Sequence, residues 1–349
     1  MKKIAVLGLG HIGKRIHDSL ENCIVSGYDL STGIDLRDVS VLDRIAQEND
    51  GIVAATPFFL NKAIADACFK HGKAYFDLTE SNEVAKHIGA MMGAGSPMVT
   101  QCGLAPGMVS IIANNMASKF QRVKSIAIRV GAVPSLPNNH MGYNLTWNTE
   151  GLINEYIHPC KALVDGRLVT LEPLDGQEPV NFNGIELEAA NTSGGLGSLA
   201  ESWIGLAESV TYKTLRYPGH WEFMRFLKND LCLKDNFDAF VKIFNTSIPH
   251  VTQDKVFILI KVQGFMRNNP TALVEKSYST VITNSGTETA IQISTASGIL
   301  AVVDAWRKGA LDGMTGLVKQ EDLPFDAIVS SRHSECYGLS LRSLINSMG

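Results

Sequence analysis

The residues best suited to chemistry stand at the front of the chain. Gly8, Gly10 and Gly13, with Leu9, His11 and Ile12 between them, form a G-x-G-x-x-G turn, and Asp29 follows Gly8 by twenty-one residues. Such a turn cradles a pyrophosphate: its first glycine makes a tight bend, its second lets backbone approach the ligand, and its third lets the following helix pack closely. The N-terminus of that helix adds free N–H groups and positive dipole. An acid at the position of Asp29 accepts from a ribose 2′-OH and repels a 2′-phosphate. The residues after it, Leu30-Ser31-Thr32-Gly33, include no Arg or Lys to receive a phosphate. NAD is therefore the expected cofactor, held by Gly8, Gly10, His11, Ile12, Gly13 and Asp29.

Further polar groups fall where apolar runs end. Thr56-Pro57-Phe58, Asp77-Leu78-Thr79 and Gln101-Cys102-Gly103-Leu104-Ala105-Pro106-Gly107 each follow a β-type run. In a doubly wound sheet ligands lie beyond the carboxyl ends of the strands, which puts Thr56 and Pro57 with the cofactor. The structural alternatives are a helix cap at Thr56-Pro57 and a thiol packed as a small hydrophobe at Cys102. Two later segments stand out: Gly142–Ile153, which runs into a helix with Asn148 or Thr149 as its cap, and Tyr212–His220, which sets cationic and phenolic groups at a strand end.

The elements that must position these groups follow from periodicity. Up to about residue 112, β-rich runs at 3–7, 23–28, 51–55, 74–78 and 97–102 alternate with helical patterns at 11–21, 39–48, 58–71 and 82–92, as a parallel sheet with crossover helices requires. Then the pattern changes. A helix at 107–119 leads into the long β runs 123–133, 185–191, 209–216, 256–265 and 272–283, with hairpin turns expected at Asp165-Gly166, Asn268-Asn269-Pro270 and Asn284-Ser285-Gly286. Residues 294–308 form a helix so apolar that it must be buried, by returning to the first domain. The expected fold is α/β: a Rossmann doubly wound parallel sheet (1–112 plus 293–320) and a second α+β domain on a mixed, mostly antiparallel sheet (113–292 plus 321–349). The substrate cleft is expected where the two domains meet.

Composition narrows the function classes. At 349 residues the chain exceeds what one core usually supports, which agrees with two domains. A net charge of −4 gives no footprint for nucleic acid. No apolar stretch reaches the length of a membrane span, and the first strand starts at residue 3, so no membrane partner and a cytoplasmic location are expected. The six cysteines are scattered without metal-ligand spacing, so no metal is expected.

Four blocks add a resemblance: Cys102-Gly-Leu-Ala-Pro-Gly-Met, Tyr143-Asn-Leu-Thr-Trp-Asn-Thr-Glu-Gly-Leu-Ile, Asn191-Thr-Ser-Gly-Gly and Tyr212-Lys-Thr-Leu-Arg-Tyr-Pro-Gly-His. Together, in order and over nearly the whole chain, they resemble the saccharopine dehydrogenase superfamily, in particular its lysine 6-dehydrogenase branch. Saccharopine-forming reductases usually carry Asp where this chain has Ala105, which tilts the substrate away from saccharopine. The resemblance implies a homodimer and a pocket for a small amino-acid substrate lined by Thr79, Cys102, Trp147, Thr214, Arg216 and Tyr217, with Arg216 gripping the α-carboxylate. The expected reaction is NAD-dependent oxidative deamination of L-lysine at its ε-carbon, with Asp77 or His220 as general base. The alternatives are reductive condensation to saccharopine or to a carboxynorspermidine-type polyamine, and a non-catalytic NAD sensor.

Overall fold

Short strands of nearly continuous apolar residues need cover on both faces, and crossover helices supply it. In the computed structural model, which describes residues 1–339, the chain begins with β1 (Lys3–Leu7), α1 (His11–Ser19), β2 (Ile24–Tyr28), α2 (Val39–Glu48), β3 (Gly51–Ala54), α3 (Asn61–Lys70), β4 (Ala74–Asp77), α4 (Asn82–Gly89), β5 (Pro97–Val99) and α5 (Met108–Ala117). Strands β6 (Phe120–Pro134), β7 (Cys160–Val164), β8 (Arg167–Leu171), β9 (Glu178–Phe182), β10 (Ile185–Ala190), β11 (Ala207–Arg216), β12 (Asp254–Met266) and β13 (Asn269–Thr283) follow. They are interleaved with α6 (Thr149–Ile157), α7 (Leu199–Ser202), α8 (His220–Arg225) and α9 (Phe237–Ser247). The chain then runs through α10 (Ala290–Arg307), β14 (Gly316–Val318) and α11 (Phe325–Val329).

Among the described residues two compact units result: Met1–Ile112 with Ser294–Leu339, and Ala113–Ile293. In the first, six parallel strands run in the order β14-β5-β4-β3-β1-β2. Chain order reverses between β1 and β3, so the crevice beyond their carboxyl ends is the topological switch point where such sheets bind ligands. Residues 321–339, expected in the second domain, belong to the first unit. Arg332 pairs with Glu21 at 2.8 Å and donates to the Ser19 carbonyl, Ser331 donates to Asp304, and the Tyr337 hydroxyl donates to the Ser294 carbonyl. The remainder of the 321–349 assignment, 340–349, lies outside the described residues.

In the second unit eight strands form a mixed sheet, β13-β12-β6-β11-β10-β9, with β7 on β11 and β8 on β7; only β6 and β11 run parallel. The Asp165-Gly166 hairpin forms between β7 and β8, both residues at positive φ. The Asn284-Ser285-Gly286 turn joins no two strands: it closes a single bridge, Ser285 to Glu288, and feeds α10. That helix starts at Ala290, earlier than expected, because the Asp254 carboxylate accepts the Ala290 and Ile291 N–H groups and caps it.

The sheet uses both faces. One carries α6, α8 and α9 over a core of Tyr143, Leu152, Tyr156, Trp221, Phe240 and Phe244. On the other, Val133, Phe182, Leu187, Leu215 and Phe257, all strand residues, bury one another. The sheet curls until Phe182 of β9 meets Phe257 of β12 with ring centroids 5.1 Å apart, although three strands separate them in the sheet order. Period-2 alternation thus decides which strand residues reach the helical face.

Candidate active site

In the first unit, the glycine turn leaves β1 and enters α1. A Cβ on Gly13 would stand 1.8 Å from the Gly8 carbonyl oxygen, and one on Gly8, whose φ is +86°, would stand 2.5 Å from the Ala55 carbonyl oxygen. These two glycines lock turn, strand and helix together, whereas a Cβ on Gly10 would meet nothing within 4 Å. Gly10 is the N-cap of α1, and no side chain caps the helix. Open space before unspent helix N–H groups suits a dinucleotide pyrophosphate. Asp29 is fixed beside the turn: it accepts from Leu9 N–H at 2.8 Å and from Ser31 N–H at 2.8 Å. Those bonds, Leu9's first, hold its carboxyl below the usual range, so it is ionised and keeps lone pairs for a ribose hydroxyl. Thr56 and Pro57 follow β3, the neighbour of β1, and so share the switch-point edge with the glycine turn.

Asp77 takes a different part from the one expected. It is fully buried at the end of β4, and five donors converge on its carboxylate: Tyr75 OH and Asn61 Nδ2 on one oxygen, Thr100 OH and the Thr79 and Gln101 N–H groups on the other. Burial raises its pKa against the pull of those donors. Saturated and enclosed, it ties β4 to the segment after β5, where Gln101 adopts a positive φ, and is no base in contact with a substrate. Thr79 accepts from Ser81 N–H in the same knot. Cys102 is buried with its N–H on the Asp77 carbonyl, and burial holds its thiol protonated. The Cys102 thiol is thus enclosed, and the Thr79 hydroxyl oxygen is engaged by Ser81.

The second unit gathers another set. Arg216 ends β11, is 2 % exposed, and donates from Nε to the Tyr156 hydroxyl at 2.8 Å and from Nη1 to the Leu215 carbonyl at 3.0 Å. Its Cζ lies 5.0 Å from the Tyr143 ring centroid, 5.7 Å from that of Tyr156 and 5.9 Å from that of Trp221. The Tyr156 hydroxyl lies 3.1 Å from His220 Nε2, and His220 Nδ1 lies 3.1 Å from the Met141 carbonyl oxygen. A carbonyl only accepts, so Nδ1 carries the imidazole proton and Nε2 accepts from Tyr156. Burial first, then the Arg216 charge, pushes the His220 pKa well below its ordinary value. The imidazole is therefore a neutral brace that orients Tyr156 and, through it, Arg216.

Beside this arginine two buried hydroxyls, Tyr143 Oη and Thr146 Oγ1 on residues at most 6 % exposed, close no well-formed hydrogen bond, and Thr146 and Trp147 act on the Tyr143 hydroxyl. Thr214, two residues before Arg216 on the same face of β11, bonds Thr192 at 2.6 Å. Trp147 rests on α6, where a Cβ at Gly151 would come within 2.7 Å of its indole. Tyr217 points to the other face of the sheet by strand alternation and donates to the Pro134 carbonyl, so it leaves the pocket. The expected residues brought together are thus Trp147, Thr214, Arg216 and His220. Tyr156 and Glu155 were missed: Tyr156 follows Leu152 by one helical turn and reads as core, and Glu155 reads as a solvated face.

The first unit has the architecture of dinucleotide-binding proteins. Residues 103–329 match the family described as saccharopine dehydrogenase C-terminal domain, and the chain belongs to that family. It is 24 % identical over 205 residues to the saccharopine dehydrogenase [NADP(+), L-glutamate-forming] of Schizosaccharomyces pombe, covering 56 % of this chain and 46 % of that protein; the match spans about half the relative's length. Among solved structures, saccharopine dehydrogenase (L-Glu forming) from Saccharomyces cerevisiae superposes with a TM-score of 0.78 at 15 % identity, covering 97 % of this chain and 98 % of that one. Homospermidine synthase from Legionella pneumophila, in complex with NAD, gives 0.65 at 13 % identity over 97 % and 90 %. At these identities the two structures establish the fold. Among the described residues no helix is long and apolar enough to cross a membrane, and no three His, Cys, Asp or Glu gather to hold a metal.

Proposed function

We propose that this protein is an NAD-dependent oxidoreductase acting on the C–N bond of an amino acid, with L-lysine oxidised at its ε-carbon. The observation that carries the reading is Arg216. A buried guanidinium is costly unless anions meet it; among the described residues Arg216 closes no ion pair, the Glu155 carboxylate acts on it only through space, and Nη2 closes no hydrogen bond. The Tyr143 and Thr146 hydroxyls, which close no well-formed hydrogen bond, would complete a donor set for a substrate carboxylate.

When bound, NAD supplies the hydride acceptor. The chain's residues hold and orient: the α1 N-terminus takes the pyrophosphate, Asp29 the ribose, and Arg216, braced by Tyr156 and His220, the α-carboxylate. The ε-amine loses a proton and its carbon a hydride; water then adds to the imine and ammonia leaves. Asp29 supports NAD here, although the S. pombe relative is named for NADP(+). The names of that relative and of the homospermidine synthase favour a second reading, reductive joining of an amine to a carbonyl. Ammonia release with lysine and NAD supports deamination; turnover that requires a second carbonyl or amine substrate supports joining. Arg216→Lys is expected to raise KM for the amino acid severely while leaving NAD affinity intact, and an unchanged KM refutes the carboxylate role.

A further inference from the structure

Arg216 and Glu155 occupy one cluster without forming an ion pair. Glu155 immediately precedes Tyr156 on α6, and the Tyr156 hydroxyl holds Arg216 Nε at 2.8 Å. Glu155 also lies one turn beyond Gly151, on the helix face where the Trp147 indole rests. The C-terminal turn of α6 is pinned there: Ser193 donates its N–H to the Glu155 carbonyl at 3.0 Å and its hydroxyl to the Asn154 carbonyl at 3.2 Å. Among the described residues, the Glu155 carboxyl closes no hydrogen bond and no ion pair. Its charge and that of Arg216 act on one another, and both act on Tyr143, whose buried hydroxyl closes no well-formed hydrogen bond. A cation and an anion, each short of a partner and held on separate elements, call for a ligand carrying both opposite charges.

We propose that Glu155 recognises the α-ammonium of the substrate, so that the pocket reads a zwitterionic amino-acid end: carboxylate on Arg216, α-ammonium on Glu155. This deepens the reading of the Arg216 site given above and rests on it. The two charges of an α-amino acid sit on one carbon, so the anion nearest the carboxylate-binding arginine faces the α-amine. The reacting amine at the far end of the chain stays clear of both. Burial, against the pull of Arg216, holds the Glu155 pKa up at about 7, and an ammonium beside it would favour its charged form.

The test compares two ligands that differ only at the α-carbon: L-lysine and ε-aminocaproate, which is lysine without its α-amino group. Calorimetry on the full chain with NADH present, so that no turnover occurs, reads both affinities. Wild type is expected to prefer lysine by about tenfold or more, as a charge-assisted hydrogen bond would give. Glu155→Gln is expected to shrink that preference to about threefold or less, with ε-aminocaproate binding as tightly as before or tighter because the anion beside Arg216 is gone, and Glu155→Asp to keep part of the preference. An equal preference in wild type and Glu155→Gln overturns the proposal and leaves the Arg216 reading standing. Absence of binding by both ligands to wild type overturns that reading, and the proposal with it.

Discussion

Replacing Tyr156 by Phe removes one oxygen atom and leaves two buried groups without a partner. Arg216 Nε loses an acceptor at 2.8 Å, and His220 Nε2 loses a donor at 3.1 Å. The ring remains, so its edge contacts with Trp221 and His220 survive, and the loss is polar. A hydrogen bond to a charged group contributes about 1.5–3 kcal/mol, and a buried acceptor left unsatisfied costs about 1–3 kcal/mol. Allowing for partial relaxation, the second unit should lose about 2–5 kcal/mol of stability. Urea unfolding followed by tryptophan fluorescence reads this, since Trp147, Trp203 and Trp221 all lie in that unit and only Trp306 lies in the other. A shifted midpoint with an unchanged slope is expected. A loss below about 0.5 kcal/mol, the level of an ordinary surface change, would refute the bracing chain from Met141 through His220 and Tyr156 to Arg216.

Gly10→Ala places a methyl in open space, so thermal stability should move by less than about 0.5 kcal/mol while NAD affinity falls, measured by fluorescence titration; retained affinity would mean that no pyrophosphate passes there. Asp29→Ala should shift the ratio of kcat/KM for NAD over that for NADP toward NADP, with some loss of turn order because Leu9 and Ser31 N–H lose their acceptor. Glu155 makes a pH prediction of definite sign. Its folded pKa, about 7, lies above the ordinary 4.5, so the folded state binds more protons between those values and stability falls as pH rises through the window. Glu155→Gln removes the fall and should raise Tm relative to wild type more at pH 8 than at pH 5; the opposite trend would place the carboxylate in a favourable ionised state.

Much of the first unit was legible because its strands and helices carry their own periodicity and their own stop residues. The glycine turn and Asp29 lie within one β-α-β stretch, where spacing in sequence nearly equals placement in space. β14 was not legible: three residues, Gly316–Val318, make a strand only because β5 offers an edge to pair with. Asp77 shows the same limit at a side chain. Its position at a strand end was readable, whereas its saturation depends on Thr100 and Gln101 arriving from the next strand. In the second unit, Arg216 and Tyr217 are sequence neighbours sent to opposite faces, and only the curl that brings Phe182 onto Phe257 shows which face is filled by strand residues alone. Tyr156 was hidden by its own burial, since an aromatic on an apolar helix stripe carries no mark of the hydrogen bonds its hydroxyl makes.

On this proposal Arg216 and its neighbours select a substrate by its carboxylate while the amine at the other end is oxidised. L-lysine and cadaverine, which is lysine without the carboxylate, share that amine and differ at the group Arg216 is proposed to hold. Initial rates of NADH formation with each, together with released ammonia, separate the two groups' roles. Turnover of lysine with stoichiometric ammonia is expected, with a kcat/KM for cadaverine lower by about a hundredfold or more, as loss of a buried charged pair implies. Cadaverine oxidised as efficiently as lysine would contradict the proposal.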